Sequence, residues 1–241
     1  MANGRRPASR NSDTDEMTVR IKHPRIPHLP WSPGATDDDT RIVDLNPFMS
    51  SSRIVVTEKL DGENTTLYRD GYLHARSTMY SPHPSRDWLR AFHGRFAHEI
   101  PEGFRICGEN LFARHSIGYD RLPSYFLVHS IWDHRVCLSW DSTLEWCRLL
   151  GLDHVPVLFE LDGFYGRDQR LREGPVQSAF GSEGAEGFVL RDAGEIGFAE
   201  YGFFVAKWVR PHHVQTDDHW MHSAIIPNGL ASVLASAKET S

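Results

Sequence analysis

"VVTEKLDGENTTLYRDGYLHARS", residues 55 to 77, ends a β-branched run in Lys59, set among Glu58, Asp61 and Glu63. The chain then turns at Asp70-Gly71 and runs back through Leu73, the pattern of a β-hairpin with a tight corner. A strand that ends in a lysine flanked by three acidic side chains is either a solvated surface turn or a seat of chemistry. K-x-D-G alone does not decide. One wildcard and three common residues arise by chance in roughly a few per cent of chains this long.

The totals narrow the field. The chain has 241 residues, 40% hydrophobic and 24% charged, ordinary for a globular protein with a real core. Its net charge of −6 excludes a global basic field, so any phosphate binding must come from a local cluster of Lys and Arg. Cys107, Cys137 and Cys147 form no C-x-x-C pair and no disulfide framework, which fits a reducing, cytoplasmic setting. No apolar run approaches membrane-spanning length, so no membrane partner is expected. His212, His213, His219 and His222 fit no zinc spacing.

Residues 1 to 20 are polar and aperiodic and are expected to be disordered. The Pro-rich "HPRIPHLPWSPG", residues 23 to 34, reads as an extended lead-in. Ser85 can cap a helix whose apolar face is Trp88, Leu89, Phe92 and Phe96. Ser142 and Glu145 make a capping-box pattern for a second helix that stops at Gly151. Around them lie the strand-like runs "FRICGE", "SYFLVHSIW", "RVCLSW", "VPVLFEL", "GFVLRD" and "FFVAKWVR". Several are apolar on both faces and tight turns join others, so an α+β fold with largely antiparallel sheets and a few flanking helices is expected. No G-x-G-x-x-G and no P-loop motif is present.

More chemistry follows Lys59 in a fixed order. Gly108-Glu109-Asn110 closes one strand, the 125–133 strand carries Phe126 and His129, Glu186-Gly187-Phe188-Val189 opens another, and Ala206-Lys207-Trp208 lies in the last. With Lys59-x-Asp61-Gly62-x-Asn64 and Arg76-Ser77, these resemble the successive motifs of the covalent nucleotidyltransferases: RNA ligases, DNA ligases and mRNA capping enzymes. Asn64, where DNA ligases usually carry Arg, resembles the phage-type ATP-dependent RNA ligase branch. The match runs from residue 53 to about 220.

The resemblance implies a nucleotidyltransferase (adenylation) domain over residues 21–220, with a short tail at 221–241. It implies Lys59 as the nucleophile that takes AMP from ATP, transfers it to an RNA 5′-phosphate and lets a 3′-hydroxyl displace it. Lys207 would offset charge at the α-phosphate. Glu58 would meet the adenine edge, Glu109 the ribose, and Arg76 the phosphates, with Asp61, Gly62 and Asn64 completing the nucleotide site. Glu186 would hold Mg²⁺ or Mn²⁺, since such ions take one or two carboxylates plus phosphate oxygens. The amine must lose its proton, which burial and a neighbouring cation favour and carboxylates oppose.

Two positions depart from the pattern. His129 stands where the family stacks a Phe on adenine, with Phe126 three residues earlier, and Lys207 stands alone where two lysines are usual. A local RNA groove of Arg76, Arg86, Arg114, Lys207 and Arg210 is expected, on a monomer. The alternatives are a DNA ligase, a GTP-using capping-type enzyme, and a catalytically inactive nucleotide- or RNA-binding module.

Overall fold

Six consecutive residues, Ile54 to Lys59, form a strand buried along nearly its whole length, and the layers assemble around it. The computed structural model describes residues 19–79, 82–164, 169–174, 177–211 and 224–231. In chain order the described strands are β1 (Ile54–Lys59), β2 (Glu63–Tyr68), β3 (Leu73–His74), β4 (Phe104–Asn110), β5 (Phe126–Asp133), β6 (Val136–Cys137), β7 (Asp153–His154), β8 (Val157–Leu161), β9 (Gly187–Asp192), β10 (Ile196–Gly197) and β11 (Val205–Val209). The helices are α1 (Asn46–Met49), α2 (Asp87–His93), α3 (Trp140–Leu150), α4 (Arg170–Glu173) and α5 (Tyr201–Phe204).

One sheet has the order β11-β9-β1-β8, and the other β10-β6-β5-β4-β2-β3 with β7 alongside β5. Every named pair is antiparallel except β5 with β7. The α+β architecture expected from the sequence is the one observed. Because side chains alternate along a strand, β1 serves two cores. Ile54 and Val56 join Phe48, Phe188, Leu190 and Trp208 on the outer side. Val55 joins Leu111, Leu127 and Trp140 between the sheets. Lys59, in step with Val55, therefore belongs to the face turned toward the second sheet.

The hairpin expected over residues 55–77 is divided. Its second half is present, with β2 and β3 paired across the Asp70-Gly71 turn. Its first half, β1, leaves for the other sheet and pairs with β8 and β9. The chain makes that crossing at Leu60-Asp61-Gly62, so the K-x-D-G corner links the two sheets. The second helix also begins earlier than expected. Ser139, not Ser142, is the cap, its Oγ accepting the Ser142 N–H at 3.2 Å, and Gly151 ends the helix in the left-handed region as expected.

The Pro-rich segment is a strap across both sheets. Arg20 pairs with Asp70 and lies over the Tyr68 and Tyr72 rings at the hairpin. Further along, the Lys207 N–H donates to Pro27 O at 2.9 Å and Leu29 N–H donates to Lys207 O at 2.8 Å, which closes the edge of β11. Part of the expected tail is likewise built in. Asn228 is buried, accepts the Tyr119 N–H at 2.9 Å and donates to Leu111 O at 2.8 Å. Residues 1–18, most of 221–241, and the four histidines from 212 to 222 lie outside the described residues. No described helix is long and apolar enough to cross a membrane.

The register around Glu186 depends on one glycine. A Cβ on Gly187 would stand 1.9 Å from Trp208 O, a backbone atom that cannot swing aside. Gly187→Ala is therefore expected to lower unfolding stability by about 1–3 kcal/mol, the usual cost of overpacking. Denaturant titration of the two proteins measures it, and an unchanged midpoint would show that β11 gives way freely.

Candidate active site

Between the sheets lies a cavity of about 850 Å³, within the range of small-molecule sites. The first sheet lines it with Thr57, Glu58, Lys59, Val189, Arg191, Val205 and Lys207, and the second with Glu63, Asn64, Glu109 and His129. Strap residues 23–26 and Arg76 complete the wall. Ten of the eleven candidates from the sequence thus converge here. Phe126 does not: it is fully buried in the core of the second sheet.

Lys59 ends β1 and lies opposite Gly187 in register, which brings its Nζ to 2.6 Å from Glu186 Oε2. The Glu186 side chain is 2% exposed and the Lys59 side chain 24%. Burial pulls the Lys59 ammonium down, but Glu186, Glu109 and Asp61 outweigh it and hold the amine above its ordinary value. The neighbouring-cation effect expected at Lys59 falls on its partner instead. Lys207 is held below its ordinary value, first by burial and then by the Lys59 charge. Lys207 Nζ stands 3.8 Å from Asp39, a residue the sequence did not single out.

Each acid has a distinct setting. Glu109 is pushed up to about 8, first by burial and then, against the pull of Lys59, by Glu186 and Asp61. Its Oε1 accepts the Gly62 N–H at 3.2 Å. A Cβ on Gly62 would stand 2.7 Å from Asn110 O, so this close crossing needs glycine. Asp61 is a loop anchor: its Oδ2 accepts Ser116 N–H and Ile117 N–H at 2.9 Å each and the Ser116 hydroxyl at 2.5 Å. Glu58 is buried and raised by that burial, against the Ser178 side chain and the Ala179 N–H, which Oε2 accepts at 2.9 Å; among the described residues Oε1 has no hydrogen-bond partner. Asn64 Nδ2 meets His129 Nε2 at 2.8 Å. Arg76 is exposed on the rim.

The expected basic groove is largely committed elsewhere. Arg86 is paired with Glu63, Arg114 with Glu183 at 2.7 Å, and Arg210 donates to Gly184 O at 3.3 Å. Among the described residues, no group of three or more His, Cys, Asp and Glu is placed to hold a metal by itself. Glu186 and Glu109 could share an ion whose other ligands come from a substrate, the habit of Mg²⁺ rather than of a closed protein site.

A family model described as RNA ligase matches residues 52–209. No curated protein sequence matches the chain. Among solved structures, the Naegleria gruberi RNA ligase with PPi is similar at a TM-score of 0.55 and 18% identity, over 86% of this chain and 62% of that one. A mutant of that enzyme with ATP and Mn gives 0.56 and 17%, over 79% and 56%. A second such mutant gives 0.51 and 18%, over 68% and 51%. The chain therefore spans little more than half the length of these structures, and at such identity the likeness is one of fold.

Glu109 generates a pH dependence. Its folded value of about 8 lies above the ordinary 4.5, so the folded protein binds a proton that the unfolded chain has released. Its contribution is present below about 4.5 and is lost as pH rises through about 8. Relative to Glu109→Gln, the native chain should lose stability across that window and show a constant difference above it. Urea midpoints at acid, neutral and alkaline pH measure this; parallel curves would place Glu109 in a solvated setting.

Proposed function

The chain belongs to the RNA ligase family, and from that premise we propose that it is an ATP-dependent RNA ligase that carries AMP on Lys59. The observation that supports this most directly is the placement of Lys59 Nζ in the cavity wall, 2.6 Å from a nearly inaccessible Glu186. Removed from its carboxylates, Lys59 is a nucleophile in a cleft beside a second cation.

In the proposed reaction the neutral Lys59 amine attacks the α-phosphorus of ATP. A nitrogen–phosphorus bond forms, the bond to pyrophosphate breaks, and the amine proton passes to solvent. A 5′-phosphate oxygen of RNA then takes the AMP and frees Lys59. A 3′-hydroxyl finally attacks that 5′-phosphate and expels AMP. Lys207 and Arg76 lie where they can bind phosphate charge. Among the described residues Glu58 keeps an unpartnered buried oxygen, an acceptor suited to an amino donor such as that of adenine.

A bound Mg²⁺ or Mn²⁺ would be held by Glu186 and Glu109 and would supply positive charge against the phosphates. With those two carboxylates engaged, only Asp61 of the three acids still holds Lys59 as an ammonium, and burial favours the neutral amine. Glu186 therefore has two duties: it stores Lys59 as an ammonium in the empty site and gives it up when substrate arrives.

Incubation with labelled ATP or GTP, followed by a denaturing gel, tests the reading. A band with ATP is expected, and Lys59→Ala and Lys59→Arg should both lack it, since a guanidinium stays protonated. Glu186→Ala should lower labelling by about 10²-fold or more, and EDTA should abolish it. Label retained by Lys59→Ala would remove the assignment; a GTP band would indicate a capping-type enzyme, and no band an inactive module. For the substrate, a 5′-phosphorylated RNA should be joined to a 3′-hydroxyl, and deoxynucleotides at the 3′-hydroxyl end should slow sealing more than those on the 5′-phosphate side. Equal sealing of all-DNA and all-RNA nicks would favour a DNA ligase.

A further inference from the structure

His23 comes from the strap, far from every motif, yet it is buried against the site. Its ring stands edge-on to His129 with centroids 5.0 Å apart, and packs on Tyr201 at 5.4 Å and Trp132 at 6.0 Å. The polar atoms in this cluster form one line whose direction can be worked out atom by atom.

His23 Nδ1 lies 2.9 Å from Pro24 O, and a carbonyl only accepts, so Nδ1 carries the hydrogen. Burial holds His23 down to about 4, so the ring is neutral and Nε2 is a bare lone pair. That Nε2 is 3.4 Å from Ser130 Oγ. Tyr201 and Cys107, near the same hydroxyl, are raised by burial and keep their own hydrogens. Trp132 Nε1, 3.1 Å from Ser130 Oγ, is a donor only. His23 Nε2 can only accept, whereas the Tyr201 hydroxyl can donate as well as accept, so the pairing that satisfies every group gives the Ser130 hydrogen to His23.

Ser130 Oγ, its hydrogen used, can only accept from His129 Nδ1 at 3.1 Å, so that nitrogen is protonated. His129 is held well below its ordinary value by burial, so it too is neutral and its Nε2 is bare. Asn64 must then turn its NH₂ toward His129, at 2.8 Å. The carboxamide oxygen, which no protein donor meets among the described residues, is left for the cavity that Asn64 lines.

We infer that His23 is a positioning residue for this site: through Ser130 it selects the tautomer of His129, and through His129 it turns the Asn64 carboxamide so that its oxygen faces substrate. A phenylalanine at 129 would leave Asn64 no such partner. A histidine there accepts either tautomer unless something chooses, and the two tautomers orient Asn64 in opposite senses. The strap histidine makes the choice. The Asn64 oxygen then accepts from a hydroxyl or amino group of the bound nucleotide or RNA end, a role that rests on the ligase reading.

Side-chain ¹⁵N–¹H correlation spectra of the full labelled chain read which His129 nitrogen is protonated, with no need for activity. The native protein should show Nδ1–H. His23→Phe keeps the ring but removes the acceptor, so the Ser130 hydrogen turns to His129 and the signal should move to Nε2–H. Lysyl-AMP formation or RNA sealing should fall about tenfold with it, the loss of one net hydrogen bond. His23→Gln, whose oxygen can accept from Ser130, should restore tautomer and rate together, which a packing role would not. Ser130→Ala cuts the same line without touching the strap, and should also disturb the His129 signal if His23→Phe fails to fold. An unmoved His129 signal in the folded variants overturns the inference, and a moved signal with unchanged rates overturns the positioning role. A native chain that forms no lysyl-AMP refutes the ligase reading separately and leaves the tautomer result standing.

Discussion

A carboxylate as inaccessible as Glu186 cannot remain charged without a partner, and Lys59 stands 2.6 Å from it. Taking such an ion out of water costs several kcal/mol, and a close opposite charge at best offsets that cost. Two apolar residues of similar size would hold β1 and β9 together at least as well. The pair is therefore a poor choice for stability and a specific choice for something else. Much of the surrounding backbone serves it. Gly187 lets β11 approach, the Arg210 N–H donates to Glu186 O at 2.9 Å, and Gly62 carries the chain across to the second sheet.

That crossing divides the chemistry. The first sheet supplies the amine and the second cation, and the second sheet supplies Glu109, Asn64 and His129. Neither surface is a site alone, so whatever binds must touch both. The strap makes the division workable. It is anchored on the β2–β3 hairpin through Arg20 and on β11 through backbone bonds to Lys207, with His23 between. Arg191 ties the sheets at the far end, donating from β9 to Leu138 O at 3.0 Å. A cleft spanned at both ends keeps its width when empty, and a preformed cleft spares a ligand part of the ordering cost of binding.

The sequence was informative at several places where the physics is local, although the caps it offered at Ser85 and Ser142 are not the ones the helices use. Strand patterns, the Asp70-Gly71 turn and the Gly151 stop all rest on neighbouring residues, and they hold. What local pattern does not carry is the identity of a strand's partner, so the β1 run was joined to the hairpin that follows it. Asp61 was read with the acids around Lys59, although its oxygens are used by a loop 55 residues away. Phe126 illustrates a signal that was available. It lies three residues from His129, and an odd spacing in a strand puts the two on opposite faces. Only one of them could face the cavity, and the other had to enter the core. His23 offered no such signal, because its contact with Ser130 spans 107 residues.

The balance of charge in the cavity points to the form of its ligand. Glu58, Asp61, Glu109 and Glu186 share the wall with Lys59, Lys207 and Arg76. Glu109 is driven up to about 8, first by burial and then by the neighbouring carboxylates Glu186 and Asp61. A purely anionic ligand would worsen that repulsion on the acidic side while satisfying the cations. A bare dication would do the reverse, drawing Glu186 from Lys59 and leaving its ammonium beside that of Lys207, which keeps Asp39 at 3.8 Å. The arrangement is met from both sides only by a ligand that brings a cation to the carboxylates and phosphate to the lysines in one piece. A metal-bound nucleotide has that composition, which is the form of ligand the proposed reaction calls for.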